Sequence, residues 1–142
     1  MLKKLTLLLL LIFKANLLLA FTTTVNISNA NKKAEGTLYL VISNEKNFSN
    51  KSYKKDNSQL KHTQEINKET TNIKLTFENL PQGDFIFFGF IDTNNNHKLD
   101  TNFIGMPKEP VFFTKKLAGP PKFKNLKTTI SGKDQIVNLI IQ

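Results

Sequence analysis

The stretch Asp92-Thr93-Asn94-Asn95-Asn96-His97-Lys98-Leu99-Asp100 concentrates the chemistry this chain offers. Oxygen-bearing side chains stand at Asp92, Asn94, Asn96 and Asp100, spaced two, two and four. Calcium loops take ligands in the same rhythm, with a backbone carbonyl between the third and the last side chain. On that register Asp92, Asn94, Asn96, the Lys98 carbonyl and Asp100 supply oxygens, and water completes the shell. The place of a closing bidentate Glu holds Phe103, and the place of the sharp-turn Gly holds His97. The flanks are not helical, so this is no EF-hand. Two carboxylates opposed by the Lys98 ammonium predict weak affinity, of roughly millimolar order. An alternative needs no ion. Asp and Asn side chains bond their own backbone two residues on and build turns by themselves. The residues leave both readings open.

Other chemistries are poorly supplied. The chain has two His and no Cys, and no Gly-x-Ser-x-Gly elbow. Nucleophilic hydrolysis wants a nucleophile, a base and a group that orients the base. A zinc site needs three protein ligands. His62, His97 and one Asp would meet only if a long loop folded over the acidic one. Absent Cys also excludes disulfides, thiolate metal sites and a lipoprotein anchor. We therefore expect no catalytic residues and no cofactor other than calcium. The net charge of +9 rests on twenty Lys and no Arg. Base-specific nucleic-acid recognition leans on the Arg fork, so no nucleic-acid partner is expected.

The elements that must hold these residues read as short strands. Residues 1–20 have the form of a secretory signal: Lys3 and Lys4, an apolar centre from Leu5 to Phe13, and a small residue at Ala20. Lys14 interrupts the apolar run, and no stretch of about 18 uninterrupted apolar residues exists. We expect a cleaved leader, with an uncleaved anchor as the alternative, one domain over 21–142 with a formal charge of +6, and no span after cleavage. Thr22 to Ser28, Gly36 to Ser43 and Asn72 to Leu80 alternate with period two, the pattern of half-buried strands. Residues 44–72 read as a long polar loop with an edge strand near 60–67. Phe85 to Ile91 is apolar at both parities and predicts a central strand buried on both faces, with Gly89 marking a bulge or a close neighbour. Val111 to Thr114, Lys127 to Ser131 and Gln135 to Ile141 complete the set, the last two joined as a hairpin through Gly132-Lys133-Asp134. Seven or eight short strands predict an all-β, antiparallel β-sandwich with one long polar loop.

Four motifs, in order, carry a resemblance. They are Leu80-Pro81-Gln82-Gly83-Asp84-Phe85, the stretch Asp92 to Asp100, Asn102 to Glu109, and Gly119-Pro120-Pro121-Lys122-Phe123. Together they resemble the exported bacterial domain-of-unknown-function family 2141, from near Gly36 to the C-terminus. The resemblance implies a transthyretin-like or immunoglobulin-like β-sandwich. Some transthyretin-like proteins are hydrolases, but a fold carries no activity by itself. The acidic stretch is also similar to calcium loops of bacterial surface-adhesin repeats. Asn95 and His97 stand where the family's loop usually has Gly, and Lys115-Lys116 where it has neutral polar residues.

The expectation is a non-catalytic module, periplasmic or secreted, that binds an unidentified envelope protein or glycan through its end loops. Asn102, Lys108 and Glu109, beside the acidic loop, are the candidate binding surface. The alternatives are a purely structural envelope module or, behind it, a transthyretin-like hydrolase.

Overall fold

A computed structural model describes residues 20–29, 34–48 and 60–142. The expected leader, apart from Ala20, and residues 49–59 of the polar stretch lie outside the described residues.

Period-two patterning becomes strands almost residue for residue. In β1 (Thr22–Ser28) Thr23, Val25 and Ile27 are buried and their neighbours are not. The other strands are β2 (Gly36–Asn44), β3 (Leu60–Ile66), β4 (Asn72–Glu78), β5 (Gly83–Asp92), β6 (Val111–Phe113), β7 (Thr128–Ile130) and β8 (Gln135–Ile141). They form one sheet in the order β3-β2-β5-β6-β8-β1-β4, and β7 pairs with the start of β5. The all-β, seven- to eight-strand expectation holds. The layering comes from one sheet curling over its own core, and the pairing is mixed: β1 and β8 run parallel. These are the first and last strands, so the whole domain separates them and no hairpin dictates their direction.

The curl brings the two ends of the sheet together. Ile66 of β3 joins Ile73 and Leu75 of β4 in one buried cluster with Leu38, Leu40, Phe87 and Phe112. The His62 ring meets the Phe77 ring edge-on at 6.3 Å across the same gap. The expected edge strand near 60–67 is β3, at one end of the sheet order.

Strand β5 is buried on both faces, as its composition requires. Phe85, Phe87 and Ile91 face the inner core. Ile86, Phe88 and Phe90 face a second cluster with Val41, Leu99, Val111, Phe113 and Leu126. Burying side chains of this size contributes about 1.5–3 kcal/mol each, so β5 alone anchors much of the domain. Gly89 is a position of close approach: a Cβ there would overlap the Tyr39 carbonyl oxygen and the Phe112 ring.

Among the described residues no second sheet covers the outer cluster. Loops cover it, together with the four-residue helix α1 (Phe123–Leu126), whose Leu126 is buried. The Leu126 carbonyl accepts the Thr114 hydroxyl at 2.8 Å, which fastens the helix to the end of β6.

The expected hairpin between β7 and β8 is corrected. Gly132 does turn the chain, with φ +73°. But β7 pairs with Gly83–Phe85 of β5, while β8 pairs with β6 and β1. The Gln135 carboxamide bridges the two strands instead, accepting Ser131 N–H and donating to the Thr129 carbonyl, both at 3.4 Å. The edge of β5 left open beyond the short β6 captures β7, because backbone groups there need partners. A surface ion pair reinforces that capture. Lys127, followed by the Thr129 hydroxyl, holds the Asp84 carboxyl below its usual range, and Asp84 in turn raises Lys127.

Candidate functional site

Strand β5 ends at Asp92, and the acidic loop is built on that residue. Asp92 is fully buried. One carboxylate oxygen accepts the N–H groups of Asn94 and Asn96, each at 3.3 Å; the other accepts His97 N–H at 2.7 Å. A buried carboxylate demands such donors, and the chain supplies them by winding around it. The winding requires left-handed backbone at Asn95 (φ +58°) and His97 (φ +60°). Asn and His tolerate that region better than most residues, which is how they stand in for Gly.

The remaining side chains of the turn bond one another and the backbone. Asp100 Oδ2 accepts the side-chain amides of Asn94 at 2.7 Å and Asn96 at 2.9 Å. Asn94 Oδ1 accepts Asn96 N–H, and Asn96 Oδ1 accepts Lys98 N–H. So the structure brings together Asp92, Asn94, Asn96 and Asp100, with the Lys98 backbone between the last two. The Lys98 side chain is exposed.

Glu109 corrects an expectation. Anticipated on a recognition surface, it is buried, at 6% exposure. Its carboxylate accepts Thr93 N–H at 2.9 Å and Asp100 N–H at 3.0 Å. It therefore clamps both ends of the acidic loop from behind. Lys108 N–H donates to the Asp100 carbonyl, and Ile91 N–H to the Pro110 carbonyl, both at 2.9 Å. The backbone ladder thus carries Glu109 inward and leaves the Lys108 side chain outside. Asn102 is half-buried and caps its own turn, accepting N–H groups of Ile104 and Met106. Of the three expected surface residues, Lys108 is exposed, Asn102 half-buried and Glu109 buried.

The two histidines stand apart. His62 pairs with Leu40 in the sheet and shares its inner side. His97 lies over the outer side, where its Nδ1 shares a 2.8 Å hydrogen bond with the Tyr39 hydroxyl. Tyr39 stacks on Phe90 at 5.0 Å. Burial, then the charges of Asp92 and Glu65, raise the Tyr39 phenol above its ordinary value. Among the described residues no three His, Cys, Asp or Glu side chains gather around one point.

The residue types and spacing are those expected of a calcium loop, while Asp92, Asn94 Oδ1 and Asn96 Oδ1 already accept backbone N–H groups. An ion would rest on Asp100, with Asp92 behind it, on the carbonyl ends of Asn94 and Asn96, and on the Lys98 carbonyl. The amide N–H groups now directed at Asp100 supply the positive electrostatics that a cation would otherwise provide. Cation and amides therefore compete for one carboxylate, which predicts weak binding.

Two contributors escaped sequence reasoning. Tyr39 is 58 residues from His97 along the chain. Gln142 accepts Leu117 N–H at 2.8 Å and donates to the Lys115 carbonyl at 3.1 Å, tying down the segment after β6. The only local sign for Tyr39 is its place on the outward parity of β2; Gln142 has none.

A family described as "Uncharacterized protein conserved in bacteria (DUF2141)" matches residues 25–138. No curated protein and no solved structure matches the chain.

Proposed function

The chain belongs to DUF2141, and we propose for it an exported, non-catalytic β-domain that binds an envelope protein or glycan through its end loops and holds calcium weakly at residues 92–100. The observation that carries this reading is the convergence of Asp92, Asn94, Asn96 and Asp100 in one turn pinned from behind by Glu109. A site held on rigid supports loses little entropy when an ion arrives. Calcium would supply a local positive charge and order the exposed rim beside Lys108.

The commitments of the polar groups favour binding over catalysis. The Asp92 and Glu109 carboxylates serve backbone N–H groups, and His97 Nδ1 serves Tyr39. Export rests on the pattern of residues 1–20. Among the described residues no helix is long and apolar enough to cross a membrane.

The test is a thermal melt in calcium against chelator. At ten times its Kd an ion stabilises by about 1.4 kcal/mol, a shift of several degrees for a domain this size. Wild type shifts upward in calcium and Asp100→Ala does not. Equal midpoints for wild type in both buffers end the calcium reading.

A further inference from the structure

The outer face of β5 and β6 is incompletely covered, and the gap is a cavity of about 580 Å³. Its floor is Phe88, Phe90, Val111 and Phe113, and its walls include Met106 and Leu117. Both walls are built by polar ties rather than left loose. Asn102 and a Thr101–Pro107 bridge hold one; Gln142 holds the other through Lys115 and Leu117. A pre-formed apolar cavity of roughly 300–1,000 Å³ with few polar groups is the usual form of a small-molecule site.

A second cavity, of about 300 Å³, lies against the segment 117–121: Leu117, Gly119, Pro120 and Pro121 line both. Lys115, Lys116 and Lys122 line this second one, and no carboxylate lines either. All three lysines are exposed, and among the described residues no salt bridge joins them to an acid. An apolar slot beside an uncompensated cationic rim has a definite complement: one acyl chain ending in an anion.

We infer that this face binds a free, single-chain fatty carboxylate, its tail on Phe88, Phe90 and Phe113 and its head at Lys115, Lys116 and Lys122. The site borders the 92–100 turn, whose Leu99 lines the cavity, but its polar groups are the lysines and it needs no cation. Affinity then rises about fourfold per added methylene until the cavity is full, and levels off beyond. The carboxylate head adds a salt-sensitive attraction.

Calorimetric titration of the full chain with straight-chain carboxylates of increasing length, below their aggregation limits, tests this. Expected are one-to-one binding, the fourfold increments followed by a plateau, and at least tenfold weaker binding of alkylammonium ions of equal length. Met106→Glu, at an exposed position on the apolar wall (59% exposed), lowers affinity tenfold or more while the circular dichroism and melt stay unchanged. Lys115→Glu with Lys116→Glu abolishes the preference for the anionic head. Absence of saturable binding, indifference to head charge, association only with anionic phospholipid vesicles, or binding unchanged in Met106→Glu each overturns the proposal. The last result would assign the binding to another part of the chain, the leader included.

Discussion

The two faces of β5 are closed by different means. On the inner face Phe85, Phe87 and Ile91 meet side chains from the other strands, brought over them by the curl of the sheet. Strands of one sheet do that closing, and side chains meet across the gap between β3 and β4. On the outer face Phe88 and Phe90 meet loops, and those loops are held by single polar residues: Asp92, Glu109, Asn102 and Gln142. This closure is local and leaves a cavity. Phe103, Ile104 and Met106 stay 98%, 65% and 59% exposed on the loop beside it. The comparison teaches where change is tolerated. A defect inside breaks the fold, whereas a defect outside reshapes a surface.

The sharpest break is Gly89→Ala. Its methyl group meets a backbone oxygen, which cannot rotate away. We expect a loss of about 3 kcal/mol or more, read as a lower denaturation midpoint in urea with global loss of structure. Next comes Glu109→Ala, which orphans two backbone N–H groups behind the acidic loop. A loss of about 2 kcal/mol follows from leaving two part-buried donors without their acceptor. Hydrogen exchange should rise first at Thr93 and Asp100 and leave the inner strands protected. If exchange rises equally everywhere, the outer closure is not local. Asn95→Gly acts in the opposite direction. Gly accepts φ +58° without strain, so stability should rise by up to about 1 kcal/mol.

Smaller still is the effect of pH at the β5–β7 edge. Asp84 has its carboxyl lowered in the fold. Its contribution is therefore present above the ordinary carboxylate range and fades as pH falls through the lowered value. Lys127→Met should flatten that acid limb slightly, in melts followed between about pH 2 and 5. The group is solvent-exposed, so the change is small. Ile104→Ser closes the series, with stability unchanged within about 0.5 kcal/mol. A larger loss would mean that the exposed loop supports the fold after all.

Local pattern was enough for much of this. Alternation placed β1, β2, β4 and β8, and the unbroken apolar run placed β5, because burial selects side chains by parity wherever one sheet face is dry. The turn at 92–100 was legible for a similar reason. Asp92, Asn94 and Asn96 bond to backbone within five residues, and Asn95 and His97 are types that tolerate left-handed φ.

Long-range pairing was not legible. Nothing near Gly132 says that β7 will leave β8 for the free edge of β5, since that edge exists only once β6 proves short. Nothing beside Lys108 and Pro110 marks Glu109 as buried; its burial follows from backbone N–H groups more than a dozen residues upstream at Thr93. The Tyr39–His97 contact, the Gln142 tie and the cavity that Gln142 lines share that origin. Side-chain parity and turn chemistry are properties of neighbours along the chain, which is why the strands, the buried ribbon of β5 and the shape of its polar turn could be read from residue order. Which edges meet, which carboxylate is enclosed and where space is left over depend on partners far apart in sequence, so they emerge with the folded chain.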